Sequence, residues 1–365
     1  MIIALSVIIL LSLTYILFMQ QAQFGKLPEG ARLEKIKKSP NYRNDAFQNE
    51  SITPQLTEGA NFFSMMNEFF FKKRIDNSPL SELSSVKTDF LSLDIYKDVL
   101  IWFGHSSYFM QIDGKRMLVD PVLSGYASPF SFTTKAFKGT NIYLPDDIPE
   151  IDYLFLTHDH WDHLDYKALQ KLKPKIKKII CPLGVGQHLE RWGFDLNIII
   201  EKDWNEQIIL DNGFTAYTTP ARHFSGRTFK RNQSLWTAYV LQTPTMKLFI
   251  GGDSGYDKHF AEIGKTFGPF DLAILENGQY SKSWRYIHMS PDEVLRAAKD
   301  LQAKRMFPVH SSKFALSLHP WYEPLTKITE LNKEANVSVI TPMIGEPVNL
   351  IDTAQKFSEW WETVR

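Results

Sequence analysis

The chain has 365 residues, 44% of them hydrophobic, with 41 basic residues balanced by 41 acidic ones and a single cysteine. That length and apolar content bury a large core without requiring two domains, and the balanced charge disfavours a nucleic-acid partner, whose phosphates need a basic surface. Internal disulfides and thiolate zinc fingers are excluded; Cys181, in Ile179-Ile180-Cys181-Pro182-Leu183, reads as a small buried hydrophobe.

Residues 2–19 carry no charge. As a helix they would reach about 27 Å, near the ~30 Å hydrocarbon core of a bilayer. No Lys or Arg precedes them and no small-residue cleavage site follows, so residues 1–20 are expected to be a single-pass transmembrane anchor and not a cleaved signal. Lys26, Arg32, Lys35, Lys37, Lys38 and Arg43 come next, so by the positive-inside rule the rest of the chain is expected to face the cytoplasm. Residues 21–95 read as an arm, with turn chemistry at Phe24-Gly25-Lys26-Leu27-Pro28-Glu29-Gly30. A short aromatic helix is expected over 61–74, where Phe62, Met65, Met66, Phe69 and Phe70 recur at helical spacing; it would pack on the domain or lie on a membrane surface.

One folded domain is expected over 96–352, with 353–365 as a tail. It opens on the apolar run Val99-Leu100-Ile101-Trp102-Phe103, and Asp113-Gly114 marks a hairpin whose returning strand ends at Asp120. Both His105 and Asp120 stand at strand ends. A buried strand at 151–156 and a helical pattern at 166–172 then flank Thr157-His158-Asp159-His160-Trp161-Asp162-His163. Imidazole and carboxylate are ligands that zinc, iron and manganese accept, and one short loop can divide its ligands between two adjacent metals. His158, His160 and His163 are too concentrated for a solvated turn, and the loop reads as a metal site. His223, Asp253 within Gly251-Gly252-Asp253-Ser254-Gly255, and His310 each follow a predicted strand. Taken alone, each reads more readily as structural than as a ligand. His188, His259 and His319 show no pattern and read as ordinary packing or surface residues.

The pattern His-x-His-x-Asp-His at 158–163 resembles the signature of the metallo-β-lactamase superfamily. The resemblance implies an α/β fold, the αββα sandwich, with metals at one edge. It implies two divalent metal ions, zinc being expected: His158, His160 and His223 on one, Asp162, His163 and His310 on the other, and Asp253 bridging. Asp162 and Asp253 are the expected catalytic carboxylates. Paired dications about 3.5–4 Å apart need an anionic bridge and supply a hydroxide near neutral pH, so no Ser or Cys nucleophile is required. His105 and Asp120 are expected to orient ligand histidines.

More specifically, Leu118-Val119-Asp120-Pro121, Leu235-Trp236, Gly251-Gly252-Asp253-Ser254-Gly255-Tyr256, Phe267-Gly268-Pro269-Phe270-Asp271 and His288-Met289-Ser290-Pro291-Asp292-Glu293 resemble the N-acyl-phosphatidylethanolamine phospholipase D group. That resemblance implies cleavage of a membrane phospholipid to phosphatidate and an N-acylethanolamine, with the bilayer as partner. His288 matches a position near the substrate head group. Glu276 and Tyr280 are also expected on the substrate side, in a segment Leu275-Glu276-Asn277-Gly278-Gln279-Tyr280 that departs from the apolar, Pro-containing one of mammalian-type enzymes. A homodimer stays open. The alternatives are a lactonase or phosphodiesterase of the same fold acting on a soluble metabolite, and a non-catalytic metal-dependent binding protein.

Overall fold

The strands, in chain order, are β1 (Tyr42–Arg43), β2 (Ala46–Phe47), β3 (Val99–Trp102), β4 (Tyr108–Ile112), β5 (Lys115–Val119), β6 (Ile151–Phe155), β7 (Ile176–Pro182), β8 (Ile199–Lys202), β9 (Gln207–Ile209), β10 (Thr215–Thr219), β11 (Ala238–Gln242), β12 (Lys247–Ile250), β13 (Leu272–Glu276), β14 (Met306–Val309) and β15 (Pro347–Asn349). The helices are α1 (Ile2–Met19), α2 (Gly30–Ile36), α3 (Tyr166–Leu172), α4 (Val185–Arg191), α5 (His259–Phe267), α6 (Pro291–Asp300) and α7 (Glu323–Ala335). This computed structural model describes residues 2–61, 63, 67, 71, 75–211 and 213–364. The aromatic helix expected over 61–74 falls mostly outside the described residues.

Two sheets stack face to face, one ordered β15-β3-β4-β5-β6-β7-β8 and the other β14-β13-β12-β11-β10-β9. In β3 every residue is buried, yet successive side chains serve different layers. Leu100 and Trp102 point between the sheets and join Tyr108, Phe155, Tyr239, Ile274 and Phe307. Val99 and Ile101 point outward and meet Leu169 of α3 and Leu189 of α4. Across the molecule, Val240, Phe249 and Ala273 pack outward on Phe260 of α5 and Val294 and Ala298 of α6. A sheet covered on both faces needs apolar residues on both faces, so its strands read as continuous apolar runs without polar alternation. The result is the expected helix–sheet–sheet–helix sandwich.

Strand direction places the functional edge. β3 pairs antiparallel with β4 and β4 with β5, after which β5, β6 and β7 run parallel. In the facing sheet β10, β12, β13 and β14 share one direction, since β11 is antiparallel to both β10 and β12. The carboxyl ends of β3, β5 and β6, and likewise those of β10, β12, β13 and β14, therefore emerge together. The Asp113-Gly114 hairpin is present, with φ of +48° and +73° at its two turn residues. Asp165 starts α3: its Oδ1 accepts from the backbone N–H of Lys167 and Ala168, while Oδ2 accepts from Leu123 and Ser124 and ties that loop to the end of the metal motif.

The N-terminal expectation needs correction. Among the described residues no helix is long and apolar enough to cross a membrane, which overturns the single-pass anchor and the topology built on it. Helix α1 stops at Met19, and its last turn is engaged with the domain: Phe18 stacks on Phe130 at 5.2 Å and meets Phe24 edge-on at 5.0 Å. Just beyond, Arg191 donates to the Gln20 carbonyl, and Trp192 donates to that of Ala22. The following arm is strapped down. Arg32 pairs with Glu190 and Glu201, and Ile36 and Phe47 pack against Trp204 and Trp236.

Candidate metal centre

Six loops that leave the shared strand edge contribute to one cluster. His105 follows β3, Asp120 follows β5, and the 158–163 loop follows β6. His223, Asp253 and His310 follow β10, β12 and β14. His158, His160, His223 and Asp253 bring ligand atoms within 4.8 Å of one another, and so do His105, Asp162, His163 and His310. Asp253 lies between the groups. Its Oδ2 is 3.2 Å from His163 Nε2, 3.7 Å from His223 Nε2 and 3.8 Å from His158 Nε2, and its Oδ1 is 3.1 Å from His310 Nδ1. His105, Asp120 and His310 adopt positive φ values of +54°, +40° and +69°. Such backbone strain costs about 1–3 kcal/mol per residue and concentrates at functional sites.

The hydrogen-bond chain behind the cluster fixes which nitrogens face inward. Thr157 Oγ1 donates to Asp120 Oδ2 at 2.6 Å, so it accepts from His158 Nδ1 at 3.0 Å. His163 Nδ1 donates to Asp120 Oδ2 at 2.8 Å, and His223 Nδ1 donates to the Ile287 carbonyl at 2.9 Å. Each of these rings is left with a bare Nε2 toward the centre. His160 turns Nδ1 to within 2.9 Å of His158 Nε2 and 3.2 Å of His223 Nε2. Converging lone pairs repel unless a proton or a cation stands among them, and His163 Nε2 and Asp253 Oδ1 are buried with no hydrogen-bond partner. The donor set therefore fits divalent metal, with outer groups of the kind that orient metal ligands.

Electrostatics agree. Burial, reinforced by neighbouring imidazoles, holds His158 and His223 well below the usual histidine value; His310 is lowered in the same way, and burial pulls His160 down to about 4. All four stay neutral at pH 7, the form that binds metal. His163 goes the other way: burial lowers it, but the carboxylates of Asp253 and Asp162 outweigh that and raise it. Burial likewise disfavours the Asp253 carboxylate, yet His163 and His310 hold it well below the ordinary range.

The remaining expected residues divide. Asp120 accepts from His163 Nδ1 and reaches His158 through Thr157 Oγ1. His105 is set against Asp162, with Nε2 2.9 Å from Oδ2, so it steadies a carboxylate and not a histidine. His288 lines a cavity of about 330 Å³ that opens over His160, Asp162, Asp253 and His310. Glu276 and Tyr280 correct the expectation of substrate contact. Glu276 is buried behind His288, accepting from its Nδ1 and from Met289 N, both at 2.6 Å. Burial pushes the Glu276 carboxyl up to about 7, only partly offset by His288. Tyr280 turns away, donating to Glu323 and stacking on His319.

Several residues that support the centre went unnoticed in the sequence. Asp159 accepts from Gly226 N at 2.6 Å and Ser234 Oγ at 2.7 Å, and lies 3.1 Å from His188 Nε2. Arg227, over the Trp161 ring at 3.9 Å, donates to the carbonyls of Asp159 and Leu164 and to that of Gln23 in the arm. Asn49, also in the arm, pairs with the His223 backbone in both directions (2.7 and 3.0 Å) and accepts from Trp236 Nε1. No local pattern marks these residues, because each acts on a distant segment. Asn49→Ala is expected to reduce kcat/KM about 10–100-fold through displacement of His223 and to cost ~1–3 kcal/mol of stability. Steady-state kinetics at saturating metal together with urea unfolding would check this; an unchanged rate and unchanged stability would contradict it.

A family model described as a beta-lactamase superfamily domain matches residues 115–311. An uncharacterized protein of Mycobacterium tuberculosis is 33% identical over 327 residues, 88% of this chain and 87% of that protein. An N-acyl-phosphatidylethanolamine-hydrolyzing phospholipase D of Caenorhabditis elegans is 31% identical over 249 residues, 63% of this chain and 68% of that protein. Among solved structures, the metallo hydrolase Igni18 of Ignicoccus hospitalis superposes with a TM-score of 0.51 at 21% identity, over 69% of this chain and 98% of that one.

Proposed function

The chain belongs to the β-lactamase superfamily and is a metal-dependent hydrolase, and we propose that it is a dinuclear phosphodiesterase cleaving N-acyl-phosphatidylethanolamine to phosphatidate and an N-acylethanolamine. The observation that carries the dinuclear reading is the position of Asp253, whose Oδ2 lies 3.8, 3.2 and 3.7 Å from His158, His163 and His223 and whose Oδ1 lies 3.1 Å from His310, so that one carboxylate touches imidazoles of both groups. One metal would be held by His158, His160 and His223, and the other by Asp162, His163 and His310, with Asp253 common to both. Such a pair, when bound, supplies a water-derived nucleophile at neutral pH and neutralises charge on the phosphoryl oxygens; zinc suits the imidazole-rich donor set.

The protein's own groups do the rest. Asp120 and Thr157 fix the tautomers of His163 and His158. His105 steadies Asp162. His288, its Nδ1 committed to Glu276, presents Nε2 to the cavity, where it can bind a phosphoryl or amide oxygen. Leu56, Phe224, Trp284, Ile287 and Leu316 make much of the cavity wall apolar, which suits a lipid better than a small polar metabolite. The phospholipase D activity named for the Caenorhabditis elegans relative supports the same substrate class.

Vesicles of N-acyl-phosphatidylethanolamine, with soluble bis(p-nitrophenyl) phosphate beside them, test the proposal. Wild-type protein is expected to release N-acylethanolamine and to turn over the soluble diester, and His160→Ala to do neither. Turnover of the soluble diester without lipid cleavage would discard the lipid, and silence on both with metals loaded would discard the phosphodiesterase.

A further inference from the structure

We propose that Arg231 is the residue that recognises the anionic phosphodiester at this site, and so sets its preference for a charged diester over a neutral ester or lactone. The inference rests on the phosphodiesterase reading above and adds a determinant to it. Arg231 is the only Lys or Arg lining the metal-side cavity among the described residues. Its guanidinium carbon lies 5.0 Å from the centre of the Phe224 ring, and that ring in turn lies 4.4 Å from the His160 ring and 4.8 Å from the His223 ring. The cation is thereby carried on an aromatic shelf beside one of the two ligand groups.

Two features show a cation held ready for a partner the chain does not provide. Among the described residues the guanidinium makes no hydrogen bond and no ion pair; the nearby acid, Asp159, already serves Gly226, Ser234 and His188. Room for the side chain comes from Gly226: a Cβ there would lie 3.1 Å from Arg231 Cδ. Burial lowers the Arg231 pKa, but a guanidinium keeps its proton in proteins. A fork of N–H donors over a ring matches the paired non-bridging oxygens of a phosphodiester, whereas a neutral ester offers neither the charge nor the second oxygen.

The test compares wild type, Arg231→Ala and Arg231→Lys at matched metal content. Substrates are bis(p-nitrophenyl) phosphate, a monoanion, and p-nitrophenyl acetate, which is neutral. Arg231→Ala is expected to lower kcat/KM for the diester ~10–100-fold and for the acetate no more than about twofold, with Arg231→Lys between. Equal losses on both substrates, or no loss on the diester, would overturn the assignment. Calorimetric binding of dimethyl phosphate to the metal-loaded proteins separates this from failure of the phosphodiesterase reading. A wild type that binds the anion but hydrolyses only the acetate would end that reading. Arg231 would still stand if Arg231→Ala weakened the anion about tenfold, and would fall if affinity were unchanged.

Discussion

Asp253→Ala is expected to lower kcat/KM by ~10³-fold or more and to reduce metal content, with the fold retained. The carboxylate is buried at the meeting point of the two imidazole groups, within 3.8 Å of His158, His163, His223 and His310. Its removal leaves two dications without the shared negative charge that offsets their repulsion, so at least one should dissociate. Asp253→Asn, which keeps the shape and loses the charge, should fall nearly as far. Kinetics across a metal titration, with metal analysis and circular dichroism on the same preparations, give the answer. A variant that keeps its metal and more than a tenth of its activity would deny Asp253 the bridging role.

The second large effect lies one layer out. Asp120→Ala is expected to weaken metal binding about 10–100-fold and to cost roughly 3–5 kcal/mol of stability. Asp120 is fully buried and accepts from Thr157 N, Thr157 Oγ1 and His163 Nδ1 at 2.9, 2.6 and 2.8 Å. Alanine strands all three donors away from water, each at a cost of about 1–3 kcal/mol. It also releases the His163 and His158 tautomers. Alanine further sits poorly at the positive φ of +40° that this residue adopts. Asp120→Asn tolerates that backbone and keeps part of the network, so it should lie between. Urea unfolding of the metal-free protein and metal affinity by competition would read both losses. A change under about 1 kcal/mol with unaltered affinity would show that Asp120 does not orient the ligands.

What was legible in the sequence was what is local. The 158–163 motif places its ligands on one loop, and His223, Asp253 and His310 follow in order after strands that the apolar runs reveal; the structure gathers them all. The Asp113-Gly114 hairpin was legible because turn chemistry is a property of two residues. Contacts across the fold were not legible. Asn49 holds His223 from 174 residues away, and Arg227 reaches Gln23 across 204. Glu276 and Tyr280 belong to the right segment, but which way a side chain points is decided by packing against Met289 and Glu323. Residues 2–19 illustrate the same limit: an uncharged run has a length, yet the aromatic contacts of Phe18 that engage its last turn come from Phe24 and Phe130.

The most direct test of the two-metal hydrolase is a stoichiometric zinc titration of the metal-free protein, following bis(p-nitrophenyl) phosphate hydrolysis at each addition. The account predicts no activity without metal and a rate that climbs until about two equivalents are bound per chain, then stays flat. A plateau at one equivalent, or turnover in the metal-free protein, would contradict it.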